Sequence, residues 1–281
     1  MWKTEEGSTA RLIQLCVGYF IFYVITGISA KLFTDQHIAS SLHFNQIEYM
    51  VYNTIGGMLM ALGIVLVMRW YKLKSNNMVS LAGLSLPEEI KYILPSGLMT
   101  AIVIPTTTLM YTFEGMSVMV AMVIMRASVI VISRSVDAVQ IAQGILKKKV
   151  YKEENFAMLF AILAAGINVV WVQKGDFDFL SNTAAVAILS SYIVAYSIRI
   201  YIMNYFKNTR AKGVPLDNNG FFGIEQIFAF IFVVTISLLI YFGAQSFGWD
   251  VPQVTLFKNS FDVPNSLWSW GVISGTAFGL V

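Results

Sequence analysis

The sequence predicts an all-α integral membrane protein, and three observations carry that prediction. Of its 281 residues, 57% are hydrophobic and only 12% are charged, against roughly 25% charged in a soluble domain. The mean hydropathy is +0.67. The apolar residues fall in long unbroken runs, where a membrane β-barrel would show short alternating strands. Helices and closed barrels alone satisfy their backbone groups in lipid, so the runs select helices. The same composition excludes disorder, collagen and a coiled coil. A single cysteine, Cys16, excludes an intrachain disulfide. A net charge of +3 is too weak and too scattered for nucleic acid. His37 and His43 have no cysteine partner set, so neither a zinc site nor another cofactor is expected.

A spanning helix needs about 20 mostly apolar residues. The first is expected over residues 11–33. Its apolar stretch is too long for a signal-peptide core, and no small-residue cleavage site follows. The second covers 45–70. Ser85-Leu-Pro-Glu-Glu89 then reads as a helix start: Ser85 caps, Pro87 sits in the first turn, and Glu88 and Glu89 face the positive end of the dipole. The third helix ends near Tyr111. It contains Pro95 and Pro105, with Thr106, Thr107 and Thr108 placed to satisfy carbonyls near the proline. The fourth is long, 115–147. The fifth covers 155–172, the sixth 183–206 and the seventh 222–242. An eighth begins near Ser266. The closing apolar run SWGVISGTAFGLV is about 13 residues, below the spanning length. The expectation is that the chain stops inside its eighth helix; a half-helix is the alternative.

Lys and Arg bias sets orientation. With a cytoplasmic N-terminus, the inside segments carry Lys3, Arg11, Arg69, Lys72, Lys74, Lys147, Lys148, Lys149, Lys152, Lys207, Arg210 and Lys212. The outside carries Lys174 and Lys258, with Lys31 at a helix end. The bias holds at every loop, so it also checks the helix count. The membrane expected is the plasma or bacterial inner membrane.

A short internal echo is visible. Phe44-Asn-Gln-Ile-Glu48 opens the second helix and Phe221-Phe-Gly-Ile-Glu225 the seventh, and both read F-x-x-I-E. The first and sixth helices each carry one basic residue in their second half, Lys31 and Arg199. An inverted repeat of five helices produces this pattern. The expected organisation is one polytopic domain, 1–281, with a first repeat at 10–173 and an incomplete second at 181–281.

From Tyr111 the chain runs through a short turn to a helix carrying Arg126-Ala-Ser near its middle, then a basic turn, then FAILAAGINVV. This stretch, with LSSYIVAYSIRIYIMNYF in the sixth helix, resembles the drug/metabolite transporter superfamily of the EamA and nucleotide-sugar-transporter type. The resemblance covers about residues 10–281. It implies ten helices in two inverted halves with both termini cytoplasmic. Two departures stand out. Lys147-Lys148 replaces the Gly-Glu that follows the fourth helix in many relatives, and helices nine and ten have no counterpart here.

Charges inside apolar helices are the informative residues, each costing roughly 2.5–3.5 kcal/mol at the bilayer centre. The fourth helix holds Arg126, Arg134 and Asp137. At about 100° per residue, Asp137 lies about 20° and Arg134 about 80° from Arg126. All three therefore share one face and must meet protein or water. Arg134 and Asp137, three apart, can pair. One reading is a polar stripe along the substrate cavity; the other is a structural pair snorkelling at the interface. Arg199 can neutralise a substrate or a carboxylate such as Glu225, or hold the halves together as an ion pair. The substrate-binding candidates are therefore Arg126, Arg134, Asp137 and Arg199. Glu48 and Glu225 are read in first turns, where the dipole favours an acid, with proton coupling as the functional alternative. Trp171, Trp268 and Trp270 read as interface anchors. Gly56, Gly57 and Gly63 are expected to permit close helix contact.

The resemblance implies a secondary transporter of a small polar metabolite, anionic substrates included, working by alternating access. A flippase for a lipid-linked substrate and a non-transporting membrane scaffold are the alternatives. No Walker, HExxH or GxSxG pattern is present, so neither ATP drive nor an enzyme is expected. The partners expected are the lipid bilayer, the small-molecule substrate and coupling protons, with no nucleic acid; a homodimer stays open.

The orientation has a direct check. In a variant lacking Cys16, single cysteines at Val150 and Ala211 label only from the cytoplasm, and those at Asp176 and Asp250 only from outside. One reversed site breaks the helix count; four reversed sites overturn the orientation.

Overall fold

Runs of apolar and turn-forming sequence resolve into helices and one hairpin in a computed structural model, which describes residues 8–34, 44–75, 77–81, 83–112, 118–147, 151–170, 181–210, 216–249 and 251–280. The expectations for His37, His43, Trp171 and the basic run at 148–150 fall outside these residues, as do the four labelling positions. In chain order the elements are α1 (Thr9–Thr34), α2 (Gln46–Val67), β1 (Met78–Leu81), β2 (Leu84–Pro87), α3 (Ile90–Thr112), α4 (Val118–Ala142), α5 (Lys152–Val170), α6 (Thr183–Thr209), α7 (Asn218–Phe247), α8 (Pro252–Asn259), a 3-10 turn (Ser260–Asp262) and α9 (Asn265–Gly279). Among the described residues α1, α2, α3, α6 and α7 are long and apolar enough to cross a bilayer. Large apolar side chains also point outward, Phe20, Phe160 and Leu239 each about two-thirds exposed. Such exposure is costly in water and normal in lipid. The chain is a multi-pass membrane protein.

The sequence missed α8 and the 3-10 turn after it, and a hairpin before α3. Ser85 does not cap α3. Met78–Leu81 and Leu84–Pro87 pair as an antiparallel hairpin, with Val79 opposite Leu86 and Ser80 opposite Ser85. Leu84-Ser-Leu-Pro87 alternates with period two, a strand pattern. The reversal passes through Gly83 at φ +81°, a conformation glycine adopts without a Cβ clash. Pro87 closes the strand, where its missing N–H does no harm. The helix opens at Ile90, one residue past Glu89. Glu88 accepts a hydrogen bond from Asn77 Nδ2 (3.1 Å) and pairs with Lys91. Lys91, then Asn77, hold its carboxyl below the usual carboxylate range. A depressed folded-state pKa means that this support is present at neutral pH and fades as pH falls through it.

By internal contacts the chain forms two units, Met1–Gly63 with Asp250–Val281, and Ile64–Trp249. In the first, α2 and α9 meet backbone to backbone. A Cβ added at Gly56 would fall 1.9 Å from Val272 O, and one at Gly275 would fall 2.1 Å from Asn53 O. Gly271, Gly275 and Gly279 recur every fourth residue, so they line one face of α9. Small residues admit this approach between membrane helices. Gly57 joins the contact; Gly63 has nothing within 4 Å, so the close-contact expectation fails there. Polar groups inside this contact satisfy one another. Tyr49 Oη and Ser274 Oγ lie 2.6 Å apart, and Asn53 Nδ2 donates to both at 3.2 Å. Tyr52 Oη donates to Ser260 O at 2.6 Å.

In the second unit α3 packs on α6 and α7, and α4 on α5 and α6. Thr106 Oγ1 donates to Ile102 O (2.7 Å) and Thr107 Oγ1 to Val103 O (2.7 Å). They bind the carbonyls just after the Ala101 carbonyl, which Pro105 deprives of its helical partner. Asn182 caps α6 through Ala184 N (3.0 Å). Asp217 caps α7 through Gly220 N (2.9 Å), and its other oxygen accepts from Lys74 N (3.0 Å). Gly248, at φ +61°, ends α7.

The glycine contact predicts a contrast. Gly275→Ala should destabilise the protein by about 1–3 kcal/mol through overpacking, seen as a lower melting temperature in lipid nanodiscs. Gly63→Ala should leave the melting temperature unchanged or raise it slightly. Equal responses would rule out the close α2–α9 contact.

Candidate functional site

The site begins with a missing side chain. A Cβ at Gly97 would lie 2.7 Å from Phe228 Cβ and 3.2 Å from Glu225 O. Glycine there lets α3 approach α7 closely enough for the neighbouring Ser96 to reach Glu225. Ser96 and Glu225 are both fully buried. Ser96 Oγ donates to Glu225 Oε1. From α6, Arg199 Nε donates to Glu225 Oε1 (3.0 Å) and Arg199 Nη2 to Glu225 Oε2 (2.7 Å). This is a two-pronged fork in which both carboxylate oxygens and two guanidinium nitrogens are used, the strongest geometry for such a pair. The Arg199 side chain is 18% exposed and its partner 0%. The Tyr196 ring lies 6.0 Å from the guanidinium carbon, within range of a cation–π contact.

The depth of the cluster follows from helix positions. Ser96 is the seventh residue of α3, Glu225 the eighth of α7, and Arg199 ten residues before the end of α6. At about 1.5 Å per residue these are roughly 9–15 Å in from the same helix ends. Glu225 is therefore not in a first turn, as the sequence reading had it, because α7 starts at Asn218 rather than near Phe222. Glu48 does occupy a first turn. Its Oε2 accepts from Asn45 N (2.8 Å) while Asn45 Oδ1 accepts from Ile47 N (3.1 Å), so Asn45 caps the helix start and Glu48 reaches back to the capping residue. The two glutamates of the F-x-x-I-E echo thus have different partners: a backbone N–H for Glu48 and a buried arginine for Glu225.

The α4 charges separate. Arg134 Nη2 donates to Asn155 Oδ1 on α5 (2.9 Å), and Asp137 Oδ1 accepts from Asn204 Nδ2 on α6 (3.2 Å). They do not pair with each other. Three residues put them about 60° apart on the wheel, and different neighbouring helices flank the two directions. Asp137 begins a polar ladder that sequence reasoning missed. Gln140 Nε2 donates to Tyr201 O (3.0 Å), Asn208 Nδ2 to Gln140 Oε1 (3.4 Å) and Tyr201 Oη to Gln143 Oε1 (2.8 Å). The i, i+3 spacing of 137, 140 and 143 is the signal that would have found it. Arg126 is half-buried on α4.

A second ion pair joins α6 to the start of α3. Arg210 Nη2 donates to Glu89 Oε1 at 2.6 Å, each side chain only 10% exposed. Among the described residues no group of three His, Cys, Asp or Glu side chains is placed to hold a metal.

The chain matches no family model, no curated protein and no solved structure. The buried charges are the candidates for function, since ionisable groups are rare and costly inside membrane helices.

The fork makes a stability prediction. Glu225→Leu leaves Arg199 buried without its carboxylate and should cost about 3–5 kcal/mol. Adding Arg199→Met should recover most of that loss, because an apolar pair of similar volume is close to neutral. Thermal or denaturant unfolding in nanodiscs measures both. A double variant no better than the single one would mean that Glu225 stabilises through something other than the fork.

Proposed function

We propose that this chain is a secondary transporter of a small polar metabolite, working by alternating access in the manner of the drug/metabolite transporter superfamily that its third to sixth helices resemble. The supporting observation is the Arg199–Glu225 fork with Ser96, set about 9–15 Å deep in membrane-crossing helices. A purely structural protein gains little from such a pair, since apolar residues of the same volume pack as stably. A transporter gains a charge that can change partners.

In this reading the N-terminus is cytoplasmic, the membrane is the plasma or inner membrane, and α1–α5 and α6 onward are inverted repeats. Glu225 carries the coupling proton. When Glu225 is ionised it holds Arg199. When Glu225 takes up a proton, Arg199 turns to an anionic or hydrogen-bonding group of the substrate. Arg126, which cannot escape burial by losing its proton, supplies a second contact to the substrate. Arg134 and Asp137 hold α4 to α5 and α6 while the halves move, and Glu48 holds the start of α2.

Transport in proteoliposomes, with a metabolite panel, tests this. Glu225→Gln should lose accumulation driven by a proton gradient while keeping substrate counterflow, because the proton step goes and the exchange step stays. Arg126→Ala should abolish both without affecting membrane insertion, and Arg126→Lys should recover only part, lacking the planar fork. Full gradient-driven uptake by both Glu225→Gln and Arg126→Ala would defeat the proposal and favour a scaffold.

A further inference from the structure

The two arginine–glutamate pairs on α6 differ in one respect. Arg199 and Glu225 use two nitrogens and two oxygens. Arg210 and Glu89 meet end-on, through one nitrogen and one oxygen. Among the described residues Glu89 Oε2 and Arg210 Nη1 are buried and have no hydrogen-bond partner. A buried polar atom without a partner is costly, and two within one ion pair call for an explanation. Both residues line a cavity of about 190 Å³, together with Asn77, Glu88, Tyr92, Phe206 and Thr209.

The geometry points to a small-molecule binding site here, for a net-neutral, flat molecule carrying a hydrogen-bond donor and acceptor side by side, of the aromatic amide type. The Arg210–Glu89 pair is neutral and the Glu88 carboxylate on the wall is balanced by Lys91, so the lining favours neither an anion nor a cation. It lacks one donor, for Glu89 Oε2, and one acceptor, for Arg210 Nη1. A carboxylate offers only acceptors and would confront Glu89. An ammonium offers only donors and would confront Arg210. An amide edge offers both at adjacent atoms. The size fits, since a cavity of about 150 Å³ holds benzene. The walls fit too: Tyr92 and Phe206 are aromatic, and the Arg210 guanidinium carbon stacks 4.8 Å from the Phe206 centroid. The two atoms are covered by their surroundings, so the ligand meets them by a small turn of the pair. A single contact restrains that turn far less than a fork does. The site lies at the start of α3 and the end of α6, about 10 Å in helix length from Ser96. It stands independently of the transport reading.

Three probes that share one ring test it: benzamide, benzoate and benzylammonium, titrated into the purified protein in nanodiscs by saturation-transfer NMR and calorimetry. Benzamide should bind at least about tenfold more tightly than either charged probe. Arg210→Lys keeps one donor on Glu89 and removes the planar second one, and should weaken benzamide about tenfold. Glu89→Gln should reverse the preference toward benzoate, because a side-chain amide can then donate alongside Arg210. A role in packing alone would not move that preference. No benzamide binding up to about 10 mM would overturn the proposal and leave water as the occupant. Equal binding of all three probes would also overturn it, as would a Glu89→Gln variant with unchanged preference.

Discussion

A polar group inside a bilayer has no water to turn to, so it must find its partner within the protein. The polar organisation of this chain answers that constraint. Glu225 is sealed from solvent and takes three donors, two from Arg199 and one from Ser96. Asp137, Gln140 and Gln143 find partners one helix away on α6. Tyr49, Asn53 and Ser274 close on one another. Among the described residues, the Arg210–Glu89 pair leaves Glu89 Oε2 and Arg210 Nη1 unmatched.

Glycine makes the matching possible. Apolar attraction between helices is weak in lipid, and close packing with interhelical hydrogen bonds takes its place. Without a Cβ at Gly97, α3 approaches α7 and Ser96 reaches Glu225. Along α9, a glycine every fourth residue brings α2 into backbone contact, which sets Ser274 against Tyr49 and Asn53. Small residues and buried polar residues are therefore parts of one device: the first sets the distance, the second uses it.

Much of this was legible in the sequence and the rest was not, for physical reasons. Long apolar runs fix membrane helices strongly, and α1, α2 and α6 lie within a few residues of the expected bounds. The hairpin at 78–87 was hidden because Ser85-Leu-Pro-Glu-Glu89 carries the residues of a helix start. Its period-two alternation is short and was outweighed by Pro87. The start of α7 lay four residues earlier than the apolar run suggested, since Asp217 rather than hydrophobicity sets it, and this moved Glu225 from a dipole partner to a buried acid. Arg199 is legible as a costly charge and Glu225 as an acid at a helix start, with their pairing one of the options the sequence offers. Ser96 was invisible, because its role comes from a helix approach that Gly97 permits. The Arg134–Asp137 pairing failed for a similar reason. Spacing along one helix says who is within reach, and the neighbouring helices decide who is met.

The central claim is that the Arg199–Glu225 fork works as a charge exchanger and is more than a clamp. Exchanging the two residues tests it most directly. The doubly substituted Arg199→Glu, Glu225→Arg protein can rebuild the ion pair but puts the acid on α6 and the base on α7. The account predicts that the exchange restores thermal stability lost in Glu225→Leu, while proton-driven uptake stays absent. Recovery of stability and uptake together would contradict it, because the pair would then need only to exist, whichever helix carries the acid.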